Sequence, residues 1–292
     1  MNTLFRLATL VVLFPLIGAM ERLVVFLFPD TGLIAEEQDM DRLEERFLQH
    51  PALSIEQSRL VTNSMAERAA GNLLDAMALR TNYSEKALQN VEETESLIDR
   101  YEDKLGTYLM KIPSRSLSAT QSEEVSKYLH TISDFERISD HAVNLLAASE
   151  ELRSKGLGFS AAAEKELKVL IGAVSEILNT AERAFSEKDL AAAAQVEPLK
   201  QVIVALKEQM RTRHILRMQQ GHCSIEAGFV WSDLLTDLER TADHCSNIAG
   251  CVLDAANHGL NLHETLRAMR ADDPDFRRAY GTYAEKYRLQ AA

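Results

Sequence analysis

One eleven-residue phrase occurs twice in this chain: residues 134–144 read DFERISDHAVN and residues 237–247 read DLERTADHCSN. Six positions are identical, and all six are polar: Asp134/Asp237, Glu136/Glu239, Arg137/Arg240, Asp140/Asp243, His141/His244 and Asn144/Asn247. A repeat in register requires a fold of two like units. Repeats kept only for packing echo through their apolar positions. An echo through acids, a base, an imidazole and an amide points to a duplicated polar site.

Around the phrase, the apolar residues from Ser54 onward recur every three or four positions, the helical period. Gly and Pro are scarce, and the chain is rich in Ala, Leu, Glu and Arg, which lose little rotamer freedom in a helix. The pattern predicts six long helices over 54–80, 83–111, 119–154, 160–187, 189–219 and 224–258. The breaks fall at Pro113-Ser114, at Gly156-Leu157-Gly158, at 186–189 and before the last helix at Gly221. The phrase lies on the third and sixth helices, and short connections make neighbours antiparallel. The expected fold is therefore all-α: two tandem antiparallel three-helix bundles, 54–155 and 156–260. A charged linker, 31–53, precedes them and is expected to be stopped at Pro51. A tail helix within 261–292 places Phe276, Tyr280, Tyr283 and Tyr287 on one stripe, which is expected to pack back on a bundle.

The first thirty residues differ in kind. Residues 4–28 are strongly apolar, but the uncharged stretch Leu7–Met20 is shorter than the ~20 residues that span a bilayer. Glu21 and Arg22 interrupt it before Leu23–Phe28. A cleavable signal is one reading. Ile17-Gly18-Ala19 is a poor cleavage site, however, and hydrophobicity resumes after the charges. The preferred expectation is a membrane helix ending near Met20 and an interfacial exit ending at Pro29-Asp30, attaching the chain to the inner membrane with its helical domain in the cytoplasm.

Charge limits the partners. The net charge is −12, and residues 1–30 contribute equal numbers of acids and bases. The acidic excess thus sits on 31–292, where it repels nucleic acid and attracts metal cations or basic partners. Cys223, Cys245 and Cys251 form no C-x-x-C pair and read as reduced thiols.

Within each phrase, Glu136, Asp140 and Asn144, and likewise Glu239, Asp243 and Asn247, stand four apart on a helix and form one stripe. Carboxylates so close repel unless a cation or arginine neutralises them. A further pair, Glu95 and Asp99, lies on the preceding helix. If the two helices face each other, four carboxylates converge. Such oxygen-only donors suit Mg²⁺, Mn²⁺, Ca²⁺ or Fe³⁺ rather than Zn²⁺. In the second unit, aligning Val91-Glu92 with Val196-Glu197 sets Lys200 opposite Glu95 and Val204 opposite Asp99, so only one acidic pair remains. His141 and His244 are expected to be hydrogen-bonded structural residues. No E-x-x-H, H-E-x-x-H, P-loop or nucleophile elbow occurs, and no enzyme is expected.

The E-R-x-x-D-H-x-x-N phrase on the third helix of two three-helix units resembles the PhoU family, all-helical regulators of phosphate uptake in prokaryotes. The resemblance implies multinuclear metal clusters on E/D-x-x-x-D motifs, here Glu95 and Asp99, Glu136 and Asp140, and Glu239 and Asp243; Lys200 and Val204 depart from the pattern. The run from Asn2 to Asp30 is similar to the last membrane helix of bacterial sodium/phosphate cotransporters that carry a cytoplasmic PhoU-like tail. That implies a partner in a transporter membrane domain or other phosphate-uptake proteins, with a homodimer as a further candidate. Two other readings stay open here: a structural or signalling bundle whose acidic stripes are solvated and far apart, and a metal-dependent hydrolase of phosphate compounds.

Overall fold

Pro51 begins a helix rather than ending one. In the computed structural model, which describes residues 38–80, 83–113, 117–257 and 274–290, Pro51 takes the first turn of α1 (Pro51–Leu79). Its missing N–H costs nothing there and its fixed φ suits the helix. The expected stop is thus a start, preceded by a helical stretch at 38–42 and a 3₁₀ turn, Glu45–Gln49. Then follow α2 (Glu85–Lys111), α3 (Ala119–Ser154), α4 (Ala161–Ser186), α5 (Leu190–Gln219), α6 (Ile225–Asn257) and α7 (Pro274–Lys286). No strand occurs among the described residues.

The boundaries have local causes. Ser118 opens α3 with a capping box: its hydroxyl accepts from Gln121 N, and the Gln121 side chain accepts from Ser118 N. Ser160 and Asp189 cap α4 and α5 in the same sense. Gly156, at φ +62°, ends α3 by turning left-handed, so that Leu157 N reaches Leu152 O at 2.8 Å.

Two units result, α1–α3 and α4–α6. Their first and third helices form the seam between them, with α3 along α6 and α1 along α4, while α2 and α5 lie outside. Position explains sequence. The outer α2 buries a narrow stripe, including Val91, Ile98, Tyr101 and Leu105. The seam helix α1 buries small residues on several sides, among them Ser54, Ser58, Ala66, Ala69 and Ala70, which lets neighbouring backbones approach closely. Each large apolar side chain fully buried in this core contributes roughly 1.5–3 kcal/mol.

The tail helix does pack back. It lies against α5, the Tyr287 hydroxyl donates to Gly172 O at 3.2 Å and also meets Glu176, and Lys286 pairs with Glu176 at 2.7 Å. Tyr280 of the expected stripe stays exposed. Residues 1–30, the expected membrane segment, lie outside the described residues. Among the described residues no helix is long and apolar enough to cross a membrane.

Lys127 is a charged residue among those the core takes in. It is buried, with its ammonium 4.8 Å from the Tyr128 ring centroid and 5.4 Å from that of Phe185. Burial lowers its pKa to about 8. Because its folded pKa lies below the ~10.4 of an unfolded lysine, the unfolded chain binds the proton more tightly. Stability should therefore rise between about pH 8 and 10. Lys127→Met is expected to stabilise the protein by about 1–3 kcal/mol at pH 7 and to flatten that rise. Urea denaturation at pH 7, 8.5 and 10 measures both, and an unchanged slope would show that the ammonium is solvated.

Candidate metal centre

On α3, Asp140 lies one turn beyond Glu136, and α2 presents Glu95 and Asp99 with the same spacing. The packing of α2 against α3 brings these pairs side by side at the edge of the helix contact, with Asp99 exposed and Glu95, Glu136 and Asp140 half-buried. Carboxylate oxygens of Glu95, Asp99 and Asp140 all lie within 4.8 Å of one another. The solvated-face alternative expects Glu136 and Asp140 exposed and far from Glu95 and Asp99; Asp140 lies close to both and is half-buried, while Asp99 is exposed. Glu136 adjoins the cluster. Burial and then the Asp140 charge push its carboxyl up to about 7, and Glu102 and Asp99 add to the shift. Glu95 and Asp99 are also raised, first by burial and then by Asp99 and Asp140 respectively. The nearby cation is Arg137, 2.9 Å from Asp140 and 3.4 Å from Glu136, with its side chain more than half exposed. With Arg137 on the solvent side, the three converging carboxylates and the adjoining Glu136 offer the oxygen-only donor set that a hard cation takes.

The second unit has the same skeleton with the charges exchanged. Lys200, at the place of Glu95, bonds Asp243 at 2.8 Å. Lys207, two turns on and at the place of Glu102, bonds Glu239. Val204 stands where Asp99 does. Glu239 and Asp243 are therefore brought not to a carboxylate cluster but to two ammonium groups of the chain itself. Lys207 escaped the sequence reading, which compared only two positions of the outer helices. The register that pairs Glu95 with Lys200 also pairs Glu102 with Lys207, and that was the available signal.

The remaining identities of the phrase build the seam. His141 Nδ1 meets Asp237 Oδ1 at 3.0 Å, and His244 Nδ1 meets Asp134 Oδ1 at 2.8 Å. Asn144 and Asn247 donate to the same two oxygens at 3.3 and 3.1 Å. The imidazoles face each other with centroids 5.6 Å apart. Each copy of the phrase thus supplies the acid that the other copy's histidine and asparagine require. Both histidines are structural, as expected. Asn144 and Asn247 leave the acidic stripe: eight residues rotate about 80° beyond whole turns, enough to aim the amide at the neighbouring unit. Removing Asp237 strands the buried His141 imidazole and removing Asp134 the half-buried His244, so Asp237→Ala or Asp134→Ala should cost about 1–3 kcal/mol. The double variant should unfold in two steps, as the units lose their polar link. Superimposable single transitions in urea, with losses below about 0.5 kcal/mol, would contradict this role.

A PhoU domain profile matches residues 62–148 and again 167–252, one copy on each unit and together more than half of the chain. The chain belongs to the PhoU family. Residues of this PhoU protein align at 26% identity over 201 positions with the phosphate-specific transport system accessory protein PhoU homolog 1 of Thermotoga maritima, covering 68% of the chain and 85% of that relative. Its fold is similar to the crystal structure of PhoU from Pseudomonas aeruginosa (TM-score 0.63, 20% identity) and to the phosphate transport system regulatory protein PhoU from Streptococcus pneumoniae (TM-score 0.64, 15% identity). In both comparisons the match covers 72% of this chain and 99% of the other.

Proposed function

We propose that this PhoU protein regulates phosphate uptake and that its first unit holds a hard metal ion on Glu95, Asp99, Glu136 and Asp140. Family membership and the accessory role named for its Thermotoga maritima relative support the first part. One contrast carries the second: three carboxylates of the first unit converge with only the half-exposed Arg137 paired to Glu136 and Asp140 among the described contacts, whereas their counterparts Glu239 and Asp243 each hold a largely buried lysine. An acidic cluster with raised carboxyl pKa values is poised to exchange protons for a cation. Mg²⁺, Mn²⁺, Ca²⁺ and Fe³⁺ all suit the donors. Glu239 and Asp243 are left to structural ion pairs.

The finer setting belongs to the same proposal. Residues 4–28 attach the chain to the inner membrane beside the membrane domain of a sodium/phosphate cotransporter, where the acidic helical domain reports phosphate status from the cytoplasm. The apolar run and its likeness to the last transporter helix support this. No group in the metal cluster is placed as a nucleophile with its base, and the function is regulatory rather than catalytic.

Metal analysis of the purified chain tests the site. The wild type should retain stoichiometric metal that the Glu136→Ala/Asp140→Ala variant lacks, and equal, metal-free results in both would end the metal assignment. Phosphate uptake by cells expressing either form tests the regulatory part: uptake should change in the variant, and identical uptake would detach the cluster from regulation.

A further inference from the structure

The second unit carries a cavity of about 470 Å³ between the end of α5 and the start of α6. That is within the roughly 300–1,000 Å³ of small-molecule sites. Two buried rings belong to its lining, His214 and Trp231, stacked with centroids 5.4 Å apart and 20° between their planes. They are 3% and 1% exposed. Neither ring nitrogen of His214, nor Nε1 of Trp231, has a hydrogen-bond partner. Each such group buried unpaired costs about 1–3 kcal/mol; all three atoms are covered, so a polar ligand edge satisfies them only when a side chain of the lining gives way.

The surroundings define that ligand. Burial, and then the Arg217 charge, lower the His214 pKa, so the neutral imidazole offers one N–H and one lone pair. The ligand edge must therefore both accept and donate. Ile215, Ile225 and Phe229 line the cavity, and Ile225 and Phe229 are 72% and 69% exposed, presenting apolar and aromatic surface to a flat ring. Arg211 brings a guanidinium to the lining, on a chain whose net charge is −12. Gly228 lets α6 pack closely on this edge of the cavity: a Cβ there would stand 3.3 Å from His214 Nε2 and 2.8 Å from Met218 Sδ. The Met218 thioether is unbranched and can swing aside.

We propose that this cavity binds a nucleotide, with its base against Phe229, the donor–acceptor edge of the base on His214 and Trp231 Nε1, and its phosphate on Arg211. A heterocyclic base supplies both hydrogen-bonding senses on one planar edge, and a phosphate supplies the anion. The site lies in the unit whose carboxylates are closed by lysines, so it stands or falls separately from the metal assignment.

Trp231 is the only tryptophan of the chain, so intrinsic fluorescence of the full chain reads the site directly. AMP should change that fluorescence saturably, with adenosine weaker by about tenfold and inorganic phosphate silent. Arg211→Ala, an exposed change, should bring AMP down to the affinity of adenosine and leave adenosine unaltered. Gly228→Leu should abolish both while the helical circular dichroism is kept; if that variant does not fold, Arg211→Ala still decides. AMP, GMP, CMP and UMP all silent by fluorescence and calorimetry at about 10 mM would overturn the proposal. So would AMP binding that survives Gly228→Leu, or inorganic phosphate binding as tightly as AMP. A dimer in sedimentation that dissociates on Phe229→Ser, with no nucleotide bound, would assign the cavity to a second copy instead.

Discussion

The variant Lys200→Glu/Val204→Asp/Lys207→Glu is expected to be unstable without metal and to bind twice the metal of the wild type. It gives α5 the acids that α2 carries at Glu95, Asp99 and Glu102, facing Glu239 and Asp243 as the originals face Glu136 and Asp140. Two ion pairs are lost. All four of their side chains are partly screened, so the penalty is set between that of a surface pair and a buried one, about 2–4 kcal/mol. Because a cation binds only the folded arrangement, saturating Mn²⁺ or Mg²⁺ should restore about 2–3 kcal/mol at a hundredfold excess over Kd. Urea denaturation with and without chelator, together with elemental analysis, provides the measurement. A variant that folds normally in chelator and holds no additional metal would show that charge at these positions does not govern binding.

The converse change should act with opposite signs on the two states. Asp99→Asn/Asp140→Asn keeps the shape of the cluster and removes two of its like charges. The metal-free protein should gain about 1 kcal/mol, because the remaining carboxylates are relieved of repulsion. The stabilisation that added metal gives the wild type should vanish, and metal affinity should fall by about a hundredfold or more. Thermal unfolding across a metal titration separates the two effects. Destabilisation of the metal-free form, with the metal response intact, would mean that these acids serve packing and that the ion is held elsewhere.

The α-helical frame was legible because its signals are local. Ser118 with Gln121, and Gly156 at the end of α3, act within a few residues of where they stand. The pairs Glu95/Asp99 and Glu136/Asp140 were legible as spacing, and their convergence followed from the facing of adjacent helices. The reason for the polar echo was not. Asp134 meets His244 and Asp237 meets His141 only because α3 and α6 lie side by side, and nothing within either phrase says that its partner is the other phrase. Pro51 misled because proline in mid-helix and proline in a first turn look the same from composition alone. His214 and Trp231 belong to no motif. Their significance is their missing partners, which only packing reveals.

Lys200 and Lys207 have a consequence for how the molecule responds to its surroundings. Ammonium groups on the chain cannot be chelated, diluted or competed away. The second unit therefore carries its neutralising charges permanently, while the first has only the exposed Arg137 beside its acids. On the metal assignment proposed above, the metal-free protein would be electrically lopsided across the α3–α6 seam, and an ion in the first unit would reduce that difference. One half would then be a fixed standard and the other a variable arm, and ion supply would register as a difference between two halves of a single chain.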